Sequence, residues 1–418
     1  MKTSRLLCLI LIFPLLFSVS SSIPTESNTD VVNAVEHGLS TENSGEENSV
    51  ALQDLIDSLS ENGGTVYIPA GSYKFAENGS QTIGSHCIKM RSNVSIVGDG
   101  ESTVLEPVGE SLYGLDMFYF NDYVDTGEAI YLENCRFEGF TIDATATSCE
   151  IYTSAGKGFM FNLFKNCHWS DVTVKYTDAT GFGVDCPIDS TIKNCTAIGC
   201  GKAAAERGSG ASGFGIGFGY ADGESILISD CTAMDNKNFG FFIEHQGRFN
   251  SEKYNATDLH SFVISDCRSY GDLFGFGGIH TLNTVYKNCI SENSRRYGFF
   301  FENSADSSAE SCQSINAREA SFAIVENDHE YHFDRGNVEY LNCMGHNSPV
   351  GVFINGDALT VPLLTAKVKG CTFEVTEYTV LATGKIQALT LTDNLSNTAQ
   401  NNLSAEIEHL NESDNSRN

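Results

Sequence analysis

The sequence predicts an all-β fold: a right-handed, single-stranded parallel β-helix (a solenoid of stacked coils) with a capping helix at its N-terminal end. Three observations carry this. Nine cysteines sit in similar surroundings, ENC (Cys135), KNC (Cys167), KNC (Cys195), SDC (Cys231), SDC (Cys267), KNC (Cys289), ESC (Cys312), LNC (Cys343) and KGC (Cys371), at intervals of 22 to 36 residues. Most of the units so marked open on a Gly-aromatic pair: GFGVD from Gly181, GFGIGFG from Gly213, GFFIE from Gly240, GFGGI from Gly275 and GFFFE from Gly298. Within a unit the apolar residues alternate, as in Thr191-Ile192-Lys193-Asn194-Cys195, with Gly, Asn and Asp as punctuation and no helical stretch between strands. A fixed repeat of short period-two strands argues for a solenoid and against βαβ units.

The elements follow in chain order. Residues 1–22 have a short basic start, an apolar run and small residues at the end, the layout of a cleaved secretory signal. A secreted or cell-surface location is therefore expected, with no membrane span after cleavage. Residues 23–47 are polar and read as a flexible leader. Residues 48–62 carry helical periodicity through Val50, Leu52, Leu55, Ile56 and Leu59. An amphipathic helix here suits the open end of a solenoid, whose terminal coil would otherwise expose core and strand edges. GGTVYIPAGSYKF (63–75) and VSIVGDGESTVLEP (94–107) each read as strand, turn, strand. The solenoid is expected over 48–395, with inserted loops at 201–212 and 247–258, and residues 396–418, rich in Asn, Ser and Glu, as a disordered tail.

The recurring cysteines predict an inward ladder in which Cys acts as a small apolar residue, preceded by Asn or Asp at a bend. Neighbouring coils lie about 4.8 Å apart, but side chains on a ladder point the same way, so thiols are favoured over disulfides. With no C-x2-C pair, zinc is disfavoured. A formal net charge of −29 argues against nucleic acid and anionic lipid as partners. A monomer is expected.

Placing the Gly-aromatic starts in register builds an outward column: Asp185, Gly217, Glu244, then Ile279 or His280, then Glu302. The coil after Asp185 would turn Gly215, Gly217 and Gly219 outward, a shallow bare groove suited to a flat ligand such as a sugar ring. Stacked like charges are unfavourable unless cations lie between them, and Lys157, Lys175, Lys237, His245, Arg248, His280, Arg295 and Arg296 are available. The plainer alternative is a solvated acidic face.

The stretch GGTVYIPAGSYKF after an amphipathic helix resembles the opening of pectate-lyase-like β-helix proteins. Residues 154–303 resemble the catalytic module of secreted mannuronan (alginate) C5-epimerases. Where that family carries Tyr-Gly-Phe-Asp-Pro-His, this chain has Phe182-Gly183-Val184-Asp185-Cys186-Pro187, and Ser154-Ala155-Gly156-Lys157-Gly158 resembles its Ser-Gly-Lys segment. The resemblance implies an acidic polysaccharide substrate, with Asp185 and Lys157 as active-site residues. The family's acid/base tyrosine and histidine fall on Phe182 and Pro187. The paired signatures of polygalacturonases are missing from the coils, their one Asn-Thr-Asp lying at 28–30.

C5-epimerisation and β-elimination of a uronan both remove a proton alpha to a carboxylate, so a cation must neutralise that carboxylate. Lys157 suits this role, supported by Arg248 or Ca2+. His245 and Tyr220 are the leading candidates for proton carriers, with Tyr176, His280 and Tyr297 behind them. Gly215, Gly217, Gly219, Glu244, Arg248, His280 and Glu302 would line the substrate. No cofactor is demanded. If Ca2+ binds, Asp185 and Glu244 are its candidate ligands, although no Asp-x-Asp-x-Asp-Gly loop or glycine-rich nonapeptide array is present. Two other functions stay open: a β-helix that binds polysaccharide without turnover, and a hydrolase pairing Asp185 with Glu244 or Asp189.

Overall fold

Eight phenylalanines stack through the middle of the molecule. Phe118, Phe159, Phe182, Phe214, Phe241, Phe276, Phe299 and Phe322 hold the same inward slot on successive strands. The rings of Phe182, Phe214, Phe241 and Phe276 follow one another at 4.7, 4.7 and 4.8 Å, within 9° of parallel. That spacing is the inter-strand repeat of a sheet. The computed structural model in which they are seen describes residues 31–121, 130–205, 210–246, 260–327, 336–356, 364–398 and 400–417. Its described strands run parallel from coil to coil, apart from one short antiparallel pair, Gly79–Ser80 with Ser85–Lys89. The expected parallel β-helix is what the chain forms. The signal-like residues 1–22 and the first part of the leader lie outside the described residues.

Why the chain bends where it does is visible at the cysteines. The residue before each ladder cysteine lies in the left-handed region: Asn134, Asn166, Asn194, Asp230, Asp266, Asn288, Ser311, Asn342 and Gly370, with φ between 50° and 66°. Asn, Asp and Gly tolerate this conformation better than other residues. The bend turns the next side chain inward, and the nine ladder cysteines are at most 1% exposed. All are free thiols, as expected. Each sulfur lies within reach of the carbonyl two residues earlier, as Cys231 Sγ does at 3.1 Å from Ser229 O and Cys267 Sγ at 3.2 Å from Ser265 O. The ladder thus gives bend carbonyls a weak donor where a purely apolar side chain would give none. On the outside the asparagines pair coil to coil, with Asn134 Nδ2 donating to Asn93 Oδ1 at 2.8 Å and Asn166 Nδ2 to Asn134 Oδ1 at 2.7 Å.

The cap is larger than the sequence suggested. Its helix runs Gly45–Leu59. It begins three residues before the expected start because Ser44 and Glu47 form a capping box. Leu52, Leu55 and Ile56 plug the core. The leader expectation fails for residues 31–47: Val31–Asn33 pairs in parallel with Thr65–Tyr67, and Ala34 and Leu39 are buried. The tail expectation fails as well. Asn401–Leu403 and Glu406–Ser413 pair with the long strand Thr372–Thr392, adding a last coil. Its polar composition misled because one side of a terminal coil faces solvent. Leu403, Ala405 and Ile407 suffice to hold it to the core.

A second internal ladder carries a buried acid. Asp272 Oδ1 accepts from Asn236 N at 2.7 Å and Asn236 Nδ2 at 2.9 Å, and its Oδ2 accepts from Ser269 Oγ at 2.6 Å. Burial raises its pKa from 3.8 to about 7 against these bonds. A raised carboxyl pKa means that the folded state holds the proton more tightly. The stability it contributes is full below 3.8 and is lost as pH rises through about 7. Asp272→Asn reproduces the protonated form, its oxygen accepting from Asn236 and its amide donating to Ser269. Urea melts from pH 5 to 8 are expected to show the wild type weakening relative to Asp272→Asn as pH rises. Parallel pH curves would contradict this. Phe241→Ala, which breaks the ring stack at its centre, is expected to cost about 3–5 kcal/mol in the same melts.

Candidate functional site

The outward column forms as the periodicity predicts. Asp185 pairs with Gly217, Gly217 with Glu244, Glu244 with Ile279, and Ile279 with Glu302. Asn162 precedes Asp185 in the same slot, and Val325 follows Glu302. Asp185, Glu244 and Glu302 are half-buried. One row closer to the strand starts lie Gly183, Gly215, Phe242, Gly277 and Phe300. Phe242 stacks on Phe239 at 4.3 Å and Phe300 on Phe274 at 5.1 Å, making an aromatic cluster separate from the core.

The glycines are not bare, which corrects the expected groove. A Cβ on Gly183 would fall 2.5 Å from Lys157 Cδ and 3.1 Å from Lys157 Nζ, so the lysine lies across this glycine. A Cβ on Gly217 would collide with the carboxamide of Gln246 and come 2.5 Å from Asp185 Oδ1. Gly215 faces Thr180 Cγ2 and remains half-exposed. Gly219 is not an outward position: with φ at 124° it begins a turn and donates its N–H to Glu224 at 2.6 Å. Close approach does explain these glycines, but the neighbour that approaches is the protein's own side chain.

Asp185 Oδ1 accepts from Gly217 N at 2.8 Å and from Gln246 Nε2 at 3.4 Å, and the same Nε2 lies 3.2 Å from Glu244 Oε1. One amide therefore bridges the two acids and relieves the like-charge contact that stacking would otherwise impose. This set of donors does not fit Ca2+ between Asp185 and Glu244, since that ion takes six to eight oxygens. Among the described residues no group of three or more His, Cys, Asp or Glu side chains could hold a metal.

Lys157 is placed through its backbone. Asp116, fully buried, accepts from Lys157 N at 2.6 Å and Gly156 N at 2.9 Å through Oδ1, and from Gln81 Nε2 at 2.7 Å through Oδ2. Burial raises the Asp116 pKa, opposed by these donors and the Lys157 charge.

The remaining candidates separate. His245 pairs with Phe218 and packs edge-on against its ring at 5.5 Å. Burial, with a smaller contribution from His260, lowers its pKa to about 4, so it is a neutral imidazole near pH 7. Tyr220 follows in the turn, edge-on to Tyr131 at 6.5 Å. His280 does not enter the column: Ile279 takes that slot. His280 turns into the bend with φ at 52°, buried, its Nε2 3.2 Å from Asn303 Nδ2. Glu302 Oε1 accepts from Asn327 Nδ2 at 2.7 Å. Asp189 sits in an exposed bend beyond the end of the Asp185 strand, off the column. Arg248 lies outside the described residues.

Sequence reasoning missed Gln246, Asp116, Glu224 and Tyr131. Only Gln246 left a signal, being two residues beyond the outward Glu244 and so outward itself.

Several solved structures share this fold. The A-module of the mannuronan C-5 epimerase AlgE4 of Azotobacter vinelandii matches with a TM-score of 0.64 at 16% identity, over 92% of this chain and 100% of that one. A tailspike double mutant of E. coli bacteriophage HK620, in complex with a pentasaccharide, gives 0.61 at 15%, over 87% of this chain and 66% of that one. The catalytic domain of a GH87 alpha-1,3-glucanase, in complex with nigerose, gives 0.61 at 12%, over 94% and 69%. No protein-family model matches the chain, and no curated protein matches its sequence. These likenesses establish the class, a parallel β-helix, and no more at such identities.

Gly217→Ala is expected to destabilise by about 1–3 kcal/mol in chemical denaturation. Because the added methyl meets Gln246 first, Gln246→Ala should recover at least about 0.5 kcal/mol of that loss in a double-mutant cycle. Strict additivity would show that Gln246 does not fill the notch in solution.

Proposed function

We propose that this protein is exported and acts on a uronic-acid-containing polysaccharide along the Asp185 column, by C5-epimerisation or β-elimination. The observation that carries the reading is that Lys157 lies across Gly183, on the strand that bears Asp185. Lys157 and Asp185 lie 28 residues apart in sequence, yet the Lys157 side chain crosses Gly183, two residues before Asp185 on the outward face of the same strand. An ammonium held there suits the carboxylate of a bound uronate, whose negative charge grows as the alpha proton leaves. Asp185, fixed by Gly217 N and Gln246, presents a carboxyl oxygen as acceptor two residues further along that strand. The neighbouring folds that carry saccharides in their structures support a polysaccharide as the class of partner.

The chain's own residues narrow the chemistry. Phe182 lies in the core stack and Pro187 is buried, so neither position offers a proton carrier. His245, neutral near pH 7, fits a base better than an acid. Tyr220 is the remaining carrier at the end of the neighbouring strand. The hydrolase alternative is weakened. Strand spacing puts residues two coils apart at about 9.6 Å, but the Gln246 amide occupies the space that an attacking water would need between Asp185 and Glu244. Binding without turnover remains the second reading, favoured by the loss of the Tyr and His positions.

The test is proton NMR of the protein incubated with a panel of uronans in heavy water, beside Asp185→Asn and Lys157→Met. Deuterium entering C5, or unsaturated uronate appearing, with the wild type and at least about a hundredfold slower with either variant is the expected result. Binding with neither exchange nor cleavage would replace the enzymatic reading with the binding one. Absence of binding to every polymer by a folded sample would overturn both.

A further inference from the structure

The turn after the Gly217 strand is held by an acid that none of the chemistry above uses. Glu224 is fully buried. Its Oε2 accepts from Gly219 N at 2.6 Å, and its Oε1 accepts from Tyr220 N at 2.8 Å and Ala221 N at 3.1 Å. Three successive N–H groups converging on one carboxylate are more than a turn needs for closure. They fix each peptide plane of the segment, and Gly219 supplies the positive φ of 124° that the first plane requires.

Around the carboxyl stand Cys186, whose thiol bonds to it, and His260, with Nδ1 3.8 Å from Oε2. Tyr131 lies close enough for Glu224, Cys186 and Tyr220 all to raise its phenol, which burial and these neighbours bring to about 12. Cys186 directly follows Asp185, and its φ of 60° kinks the strand Phe182–Ile188 at that point. Glu224 therefore joins three things: the kink just after Asp185, the turn bearing Tyr220, and Tyr131 from an earlier coil.

We propose that Glu224 is a positioning residue for the groove. By gripping residues 219–221 it holds Tyr220 against Tyr131, and the two rings form the wall against which a sugar ring rests beside Asp185. This rests on the polysaccharide reading for its ligand but not for its mechanics. Two half-buried phenol rings offer an apolar surface and a hydroxyl to a pyranose. A backbone locked by a buried acid keeps them in place before the ligand arrives.

The mechanics are tested without any saccharide. Amide hydrogen exchange and isotope-labelled tyrosine NMR are compared for wild type, Glu224→Gln and Glu224→Asp, with ring signals assigned through Tyr220→Phe and Tyr131→Phe. Glutamine has one acceptor where three N–H groups need two. Aspartate keeps a carboxyl group one methylene short, so it covers the case of a glutamine variant that does not fold. In both variants the amides of Gly219, Tyr220 and Ala221 are expected to exchange at least about tenfold faster, with Phe214–Phe218 and Phe239–His245 unchanged. The Tyr220 ring signals should move toward those of an exposed tyrosine. Unchanged amides at 219–221 would overturn the proposal.

The wall is tested with an oligouronate. Glu224→Gln and Tyr220→Ala should each weaken binding about five- to tenfold, and the double variant no further. Additive losses, or ring signals of Tyr131 and Tyr220 that stay still while the wild type binds, would overturn the wall and leave the polysaccharide reading intact. If the wild type binds no saccharide, the polysaccharide reading and the wall fall together, and the exchange data still decide whether Glu224 locks the turn.

Discussion

Face-to-face stacking of phenylalanine in one inward slot is the constraint on which the rest of this structure depends. A flat ring stacked on the ring below can sit only at the spacing of adjacent strands. Eight rings in sequence therefore fix the rise and register of the coils from Phe118 to Phe322. Because side chains alternate along a strand, fixing the inward slot also fixes the outward one three residues on. Asp185, Gly217, Glu244, Ile279 and Glu302 line up because Phe182, Phe214, Phe241, Phe276 and Phe299 do.

On that frame the candidate site is held by buried acids that bond to backbone rather than to each other. Asp116 holds the segment bearing Lys157, and Glu224 the turn bearing Tyr220. Removing such a carboxylate would leave several N–H groups unsatisfied in a buried setting, which makes these placements rigid. The thiol and asparagine ladders do the corresponding work at the bends. Together they let the outward face carry three acids in one column, with Gln246 relieving the closest pair.

Polysaccharide-active proteins with this architecture include an epimerase and a glucanase, at 16% and 12% identity to this chain. A solenoid explains such breadth. Each coil contacts only its neighbours, so outward residues can change without disturbing the stack, and the chemistry depends on a few of them. Phe182 and Pro187, at the positions where the resembled family carries Tyr and His, are both buried, and Phe182 belongs to the ring stack itself.

The repeat, the bend before each cysteine, the free thiol ladder and the register of the acid column were all legible in the sequence. Each follows from local rules: a period of two, and the tolerance of Asn, Asp and Gly for left-handed backbone. Composition misjudged both ends, because a leader and a tail rich in polar residues can still pair by backbone hydrogen bonds on a coil with one side in solvent. The site was legible in part. Asp185 and Glu244 could be assigned to one column, but nothing local shows that Gln246 fills the Gly217 notch, that Lys157 covers Gly183, or that His280 leaves the column for the bend. Those outcomes depend on side chains from coils 20 to 60 residues away in the chain, and only the stacking of coils brings them within reach.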